Sequence, residues 1–226
     1  MKTFIVRVKN NEKSENYAQV CLKSCEGKFD AELFDGVNPS TLEYWSNIYK
    51  LEPMAQSRAI GHQLASKKIH DAKKSCFLNH VILWNKCVEL NEPIAFIEHD
   101  AHCINAWDNK PFDELLILNI KSALNQKVFR SLKNQIDKID FGFGICEYKQ
   151  SPLVFKKNPK FHGGLMMPGT AAYAITPKGA KRLLSHLHMG WEQSDYYINT
   201  KSVHIQYANP EYFTFKLPNL QMSHGI

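Results

Sequence analysis

The stretch Ile94-Ala95-Phe96-Ile97-Glu98-His99-Asp100-Ala101 decides the fold prediction, because a short apolar run ends there in two carboxylates one residue apart. An apolar run of this length is typical of a buried strand, and open α/β sheets bind ligands beyond the carboxyl ends of their strands. Side chains two positions apart on a strand share a face, so Glu98 and Asp100 are expected to converge. Magnesium-type cations are held by one or two carboxylates plus substrate phosphates. The stretch therefore predicts a cation and diphosphate site, with two solvated acids at a strand end as the alternative.

Strand and helix patterns alternate on both sides of this stretch. Before it, the sequence predicts a strand over 3–8, a helix over 14–25 and a strand over 29–34, which is a βαβ order. A helix over 75–91 has apolar residues at helical spacing and ends before Pro93. Further along, the patterns predict a strand over 115–118, a helix over 121–138, a strand over 169–175 and a helix that Thr176 caps. This alternation predicts one mixed α/β domain.

Composition and charge are compatible with several anionic ligands. Of the 226 residues 44% are apolar and 22% are charged, and 28 basic against 22 acidic residues give a net charge of +6. This excess suits a nucleotide diphosphate, an acidic glycan, a membrane surface or nucleic acid. The six cysteines form no CxxC pair and no zinc-ribbon spacing, which favours buried thiols in a reducing compartment. Without a signal-peptide core or a membrane span, the chain is expected in the cytoplasm, in that of a bacterial host if it is viral.

Three segments together resemble glycosyltransferase family 25, the lipo-oligosaccharide and collagen galactosyltransferase group. They are Ser75-Cys76-Phe77-Leu78-Asn79-His80 with Trp84, then Ile97-Glu98-His99-Asp100, and then Gly169-Thr170-Ala171-Ala172-Tyr173 with Pro177-Lys178-Gly179-Ala180. Asp35-Gly36 also resembles the family's AxDG turn, whereas His99 stands where the family usually has an acid. The resemblance implies a single GT-A-like, Rossmann-like domain over 1–226, with a mixed central sheet flanked by helices. Residues 1–120 would form its donor-nucleotide half, and 121–226 its acceptor and catalytic half.

The resemblance also implies a ligand set for the donor side. It implies a divalent cation such as Mn²⁺ or Mg²⁺ and a nucleoside-diphosphate sugar, with UDP inferred from the family alone. We assign Asp100 as the direct metal ligand and Glu98 as the ribose or metal-water partner. Lys178 could contact the donor phosphates, although a solvated helix face is the alternative. Enzymes with a GT-A fold often add a C-terminal histidine to the metal shell, and the candidates, of which the last two are favoured, are His162, His204 and His224.

The segment Gly190-Trp191-Glu192-Gln193-Ser194-Asp195 is the candidate for acceptor chemistry. An inverting transfer needs one positioned carboxylate to deprotonate the acceptor hydroxyl, and an aromatic ring can stack on a sugar. We predict Asp195 as this base and Glu192 as the second choice. The alternative is a helix N-terminus that is enriched in acids because of the helix dipole.

Three functions remain open at this point. The first is a metal-dependent inverting hexosyl- or pentosyltransferase that acts on a glycan such as lipo-oligosaccharide. The second is a phage-type transferase acting on hydroxymethylated cytosine in DNA, whose phosphates the lysines within 67–74 and 156–160 could track. The third is a non-catalytic module that binds a nucleotide sugar or nucleic acid. The sequence does not predict the sugar or the oligomeric state.

Overall fold

The structure is a computed structural model that describes residues 1–54, 67–124, 139–148, 157–158 and 164–215. The helices in these ranges are α1 (Glu12–Cys25), α2 (Leu42–Tyr49), α3 (Lys67–Leu90), α4 (Ile120–Leu124), α5 (Pro177–Ser185) and α6 (Ser194–Tyr197). The strands are β1 (Lys2–Arg7), β2 (Asp30–Asp35), β3 (Ile94–Glu98), β4 (His102–Cys103), β5 (Leu115–Ile117), β6 (Gly144–Glu147), β7 (Lys157–Asn158), β8 (Gly164–Leu165), β9 (Ala172–Ile175), β10 (Ile205–Asn209) and β11 (Phe213–Thr214).

Seven of these strands form one mixed sheet in the order β2-β1-β3-β9-β5-β10-β6. β1 is parallel to β2 and β3, and β5 is parallel to β10, whereas β9 is antiparallel to both β3 and β5. β6 pairs antiparallel to β10 at the end of the sheet. The parallel strands β1, β2, β3, β5 and β10 therefore end at one border of the sheet, the carboxyl edge. They begin at the opposite border, the amino edge.

The predicted halves of the chain are not separate in space. β9 and β10 follow residue 120 in sequence, yet β9 lies between β3 and β5, which precede it. The mixed α/β architecture with a central sheet and flanking helices is confirmed. Both predicted halves contribute strands to the same sheet.

Local signals explain where the helices begin. α1 starts at Glu12, two residues before the prediction, because the Asn11 side chain accepts the Ser14 N–H at 3.0 Å and caps the helix. The predicted cap of α5 is confirmed, since the Thr176 hydroxyl accepts the Gly179 N–H at 3.2 Å.

Two other helices differ from their predicted bounds. α3 begins at Lys67 rather than at residue 75, because its first two turns are polar and lack the apolar spacing on which the prediction depended. α4 (Ile120–Leu124) covers the start of the helix predicted over 121–138, and the rest of that range lies outside the described residues.

The core next to α3 fixes the direction of this helix against the sheet. The buried His80 ring stacks on Phe96 of β3 with 4.0 Å between the ring centres, and its Nδ1 is hydrogen-bonded to the Tyr173 hydroxyl at 2.8 Å. Burial lowers the pKa of His80 to about 3, so the ring is neutral and has a structural role. Further along α3, the Cys87 thiol donates to the carbonyl of Ile175, at the amino edge. α3 therefore runs antiparallel to β3, and its N-terminal turns lie at the carboxyl edge.

Among the described residues, the helices are all too short or too polar to cross a membrane.

Candidate functional site

The carboxyl edge brings together acids from two distant parts of the sequence. Glu98 is the last residue of β3, and Asp195 lies in the first turn of α6. Their charges and that of Asp100 act on one another: burial, together with the nearby carboxylates of Asp100 and Asp195, raises the pKa of Glu98 to about 8. Both predicted metal-binding acids and the predicted base therefore share one site.

A hydroxyl and a backbone bond position Glu98. The Thr170 hydroxyl, just before β9, donates to Glu98 Oε1 at 3.5 Å, and the Glu98 N–H donates to the Ala171 carbonyl at 2.7 Å. Thr170 belongs to a segment that carried the family resemblance, but the sequence assigned it no role. A contact between residues 72 positions apart depends on the insertion of β9 beside β3, which sequence spacing does not reveal.

The turn after β3 corrects one part of the sequence argument. β3 ends at Glu98, so Asp100 is not on the strand, and strand alternation is not what brings the two acids together. A turn does so instead, closed by the Ala101 N–H that donates to the Glu98 carbonyl at 3.1 Å. The His99 ring stacks on Tyr17 of α1, with 6.1 Å between the ring centres. Burial lowers the pKa of His99, so its ring does not replace the family's carboxylate charge.

The base candidates differ in their surroundings. Burial raises the pKa of Asp195 to about 6, the nearby Glu192 carboxylate raises it too, and the charge of Lys73 lowers it. Glu192 is only 4% exposed, and its own carboxylate accepts the Gln193 N–H at 2.8 Å. Asp195 is thus the carboxylate whose charge acts on Glu98, whereas the Glu192 carboxylate is bonded to the backbone just before α6.

Lys73 is a cation of the site that the sequence analysis left within a general basic cluster. The Cys76 sulfur lies 3.9 Å from the Ser194 hydroxyl, so this part of α3 touches the start of α6. Lys73 is one turn before Cys76 and begins a helical row that continues with the fully buried residues Phe77, His80 and Trp84. A lysine on the core row of a helix is the signal that could have identified it. The side chains of Lys67 and Lys68 are not among those that the structure describes.

Two predicted site residues lie at the other border of the sheet, away from Glu98 and Asp100. His204 immediately precedes β10, and Lys178 lies in the first turn of α5, which follows the end of β9. Both positions are at the amino edge, about four residues of strand or roughly 13 Å from Glu98. His204 therefore does not complete a metal shell with Glu98 and Asp100, and Lys178 does not reach the same diphosphate. His162 and His224 lie outside the described residues.

The amino edge holds these residues in a matched set of charges. His204 contacts Asp113 through Nδ1 at 2.8 Å and Glu147 through Nε2 at 2.6 Å, and these acids raise its pKa. The Lys178 ammonium donates to Asp113 at 2.8 Å, and this lysine together with His204 lowers the pKa of Asp113. Glu114 is buried and accepts from Arg182 at 3.1 Å. These contacts join β10, β6 and α5, which is a structural role.

The donor set at the carboxyl edge suits a hard divalent cation. In the described ranges, no group of three or more histidine, cysteine, aspartate or glutamate side chains is arranged to hold a metal by itself. Mg²⁺ and Mn²⁺, however, are commonly bound through one or two carboxylates, with substrate phosphates completing the shell. Glu98 and Asp100 supply such a pair, and the raised pKa of Glu98 marks a place where added positive charge is favourable.

A mixed α/β sheet with an acidic site at the carboxyl ends of its parallel strands is typical of α/β proteins that bind a ligand at this edge. The particular family follows from the sequence match: the family model for glycosyltransferase family 25 (LPS biosynthesis protein) covers residues 1–198, and the chain belongs to that family. This confirms the family that the three sequence segments resemble.

Individual relatives are more distant. A curated protein of Haemophilus influenzae (strain ATCC 51907 / DSM 11121 / KW20 / Rd), provisionally named a glycosyltransferase, is 26% identical over 157 residues, which are 68% of this chain and 46% of that protein. The chain thus spans about half the length of this curated relative.

Two solved structures resemble the chain more weakly. Mouse xyloside xylosyltransferase 1 in its apo form has a TM-score of 0.37 at 10% identity, over 87% of this chain and 78% of that one. The galactosyltransferase LgtC in complex with donor and acceptor sugar analogs has a TM-score of 0.43 at 11% identity, over 92% of this chain and 73% of that one.

Proposed function

We propose that this chain is a metal-dependent inverting glycosyltransferase that moves a sugar from a nucleoside-diphosphate donor, UDP-linked, to a hydroxyl of a glycan such as lipo-oligosaccharide. The observation that carries the proposal is the convergence of Glu98, Asp100 and Asp195 at the carboxyl edge, with the pKa of Glu98 raised to about 8 and that of Asp195 to about 6. Membership of glycosyltransferase family 25 supports the reaction class.

On the donor side, Glu98 and Asp100 bind the diphosphate through a cation, and Lys73 binds it directly. Glu98 and Asp100 would hold a divalent cation, which when bound neutralises the leaving diphosphate. Thr170 keeps the Glu98 carboxylate in place. Lys73 approaches from α3, opposite β3, and its charge already acts on Asp195. Its ammonium group can take part of the phosphate charge, because a lysine binds phosphate as a point charge.

On the acceptor side, Asp195 takes the proton. With a pKa near 6 its carboxylate is ionised at neutral pH, yet it is more basic than an exposed aspartate. A base whose pKa lies close to the working pH transfers protons most effectively. In the proposed step, the acceptor O–H bond gives its proton to Asp195 while the acceptor oxygen forms the new bond to the sugar and the bond to the diphosphate breaks.

A groove next to the segment from Gly190 to Asp195 is our candidate binding site for the rest of the acceptor. It has a volume of about 430 Å³ and lies between the end of α2 and the turn before Trp191, with Tyr49, Glu52 and His188 among its walls. Gly190 lines this groove, and only glycine fits at its position: φ is +100° there, and a Cβ would come within 2.4 Å of the Glu52 carbonyl. An aromatic ring beside carboxylate and imidazole groups is suited to sugar hydroxyls.

Calorimetric titration of UDP in the presence and absence of Mn²⁺ tests the donor side. We expect binding that strengthens with Mn²⁺, and we expect Lys73→Met to weaken it about 3- to 10-fold, which is the effect of losing one charge-assisted contact. Lys74→Met is the matched control, because Lys74 is the next residue on α3 but lies off the Lys73–Trp84 row. Equal weakening by both variants would show general attraction by a basic helix and not a phosphate contact.

The other two functions have separate readouts. DNA binding would fall steeply with added salt, whereas binding to a neutral glycan would not. The lysines at 156 and 160 that would serve DNA lie outside the described residues. The groove with Tyr49, Glu52 and His188 among its walls supports the glycan acceptor, which is our proposal. A binding module without activity would hold donor sugars and never release UDP, so slow UDP release from UDP-sugars with Mn²⁺ is the result expected of an enzyme.

A further inference from the structure

Asn119 is a buried side chain without a structural function. It follows β5 at the carboxyl edge, its side chain has no exposed surface, and neither its Oδ1 nor its Nδ2 has a hydrogen-bond partner in the part of the chain that the structure describes. Buried polar groups are nearly always paired, and each unpaired one costs about 1–3 kcal/mol. A fully buried amide with both ends unpaired therefore requires an explanation.

The usual role of an asparagine at this position is taken by another residue. Asn119 directly precedes α4, where an asparagine side chain would normally accept the N–H of the third helical residue, Ser122. Here the Glu211 carboxylate accepts both the Ser122 N–H at 2.8 Å and the Ser122 hydroxyl at 3.1 Å. Capping by Glu211 leaves the Asn119 amide without its local partner.

The sheet places Asn119 level with Glu98 and on the same face. The Glu98 N–H donates to the Ala171 carbonyl at 2.7 Å and the Leu118 N–H to the Ala172 carbonyl at 3.0 Å, so Glu98 and Asn119 stand on either side of Ala171. Leu115 and Ile117 face the α3 side of the sheet, and the alternation along the strand puts Asn119 there too. The two residues are two strands apart, about 10 Å, with Ala171, just before the intervening strand β9, between them in register.

We propose that the Asn119 amide recognises hydroxyl groups of the donor sugar, in a corner of the site between Glu98 and α4. This inference rests on the proposed function. An amide offers one acceptor oxygen and two N–H donors, which match neighbouring sugar hydroxyls. Because the amide is fully buried, the sugar opens this corner as it binds, and its hydroxyl groups then pair with the amide.

Two buried asparagines make a matched test. Asn199 is also fully buried, but its Nδ2 donates to the carbonyls of Tyr196 and Tyr197 and its Oδ1 accepts the N–H groups of Lys201 and Ser202. Thermal unfolding of Asn119→Leu should give an unchanged or higher melting temperature, because leucine has similar volume and no unpaired polar atoms. Asn199→Leu should give a clearly lower one.

Titration of UDP, UDP-glucose and UDP-galactose with Mn²⁺ supplies the functional readout. We expect the unaltered protein to bind one of the UDP-sugars more tightly than UDP, and Asn119→Leu and Asn119→Ser to reduce that preference about 2- to 10-fold while leaving UDP affinity unchanged. A preference that survives in both variants, or that the unaltered protein lacks, overturns this inference and leaves the proposed function standing. Failure of the unaltered protein to bind UDP at all would remove the proposed function itself, and the inference with it.

Discussion

The pKa values of acidic side chains shift in opposite directions at the two edges of the same sheet. At the amino edge Asp113 lies against Lys178 and His204, which lower its pKa, and the buried Glu114 accepts from Arg182. At the carboxyl edge Glu98 and Asp195 have raised pKa values, because burial and neighbouring acids act on both. Acids that form ion pairs with cations stabilise a fold. Acids that are partly buried and repel one another indicate a functional site, where a ligand can offset the repulsion.

This difference predicts how removal of an acid from each cluster should affect stability and activity. Removal of an acid from the amino edge leaves donors without acceptors, so stability should fall and chemistry should not. Removal of an acid from the carboxyl edge relieves repulsion, so stability should hold or rise and chemistry should fail. Functional sites commonly show this opposition between stability and activity.

The largest effect is expected from Asp195→Asn. Loss of the proton acceptor should reduce sugar transfer about 100- to 10,000-fold, which is the usual contribution of a general base. The melting temperature should be unchanged or higher, since the ionised Asp195 is disfavoured by its surroundings. Turnover would be followed as UDP release in the presence of acceptor. Asp113→Asn is the matched control at the amino edge and should transfer normally. Near-normal transfer by a folded Asp195→Asn protein would remove this residue from the mechanism.

The sequence identified the carboxyl-edge acids for a reason that does not require tertiary structure. An apolar strand that ends in acids presents them at a strand end, and Glu98 and Asp100 are local to one another. Asp195 was found through its place behind Gly190-Trp191, and the structure brings it to Glu98. The strand–helix alternation was equally local, so the mixed α/β class followed from it.

The residues that the sequence misplaced depend on sheet order. A histidine before a strand is at the amino edge if the strand is parallel to β3 and at the carboxyl edge if it is antiparallel, and β10 is parallel. No pattern within residues 204–209 reveals that direction. Asn119 was missed for a related reason, because its unpaired state depends on Glu211, which caps Ser122 from 89 positions away.

A smaller effect, in stability alone, is expected from Glu114→Ala at the amino edge. Glu114 accepts the His204 N–H at 2.7 Å and the Arg182 guanidinium at 3.1 Å, and its side chain is only 3% exposed. Its loss leaves a partly buried N–H without an acceptor, so the free energy of unfolding should fall by about 1–3 kcal/mol. Urea denaturation measures this, and UDP binding by the folded protein should be unchanged. Asp113 is exposed, so Asp113→Ala should lower the free energy of unfolding by less, below about 1 kcal/mol. A Glu114→Ala protein with full stability would show that the matched charges do not hold the edge together.

The smallest effects concern pH, where the two edges act in the same direction and a cation distinguishes them. The pKa of Glu98 is raised to about 8, so its contribution to stability is complete below about 4.5 and is lost as pH rises through 8. The pKa of His204 is also raised, so its contribution is complete below about 6.5 and is lost as pH rises through its folded value. The melting temperature should therefore fall between pH 6 and pH 8.5.

Variants and Mg²⁺ assign that fall to one edge or the other. Glu98→Gln and His204→Asn should each remove part of the slope of melting temperature against pH. Mg²⁺ should raise the melting temperature of the unaltered protein more at pH 8.5 than at pH 6, because protons compete with the cation for Glu98. His204→Asn should keep this response to Mg²⁺, and Glu98→Gln should lose it. A response to Mg²⁺ that depends on His204 and not on Glu98 would place the cation at the amino edge and reverse the assignment of the two edges.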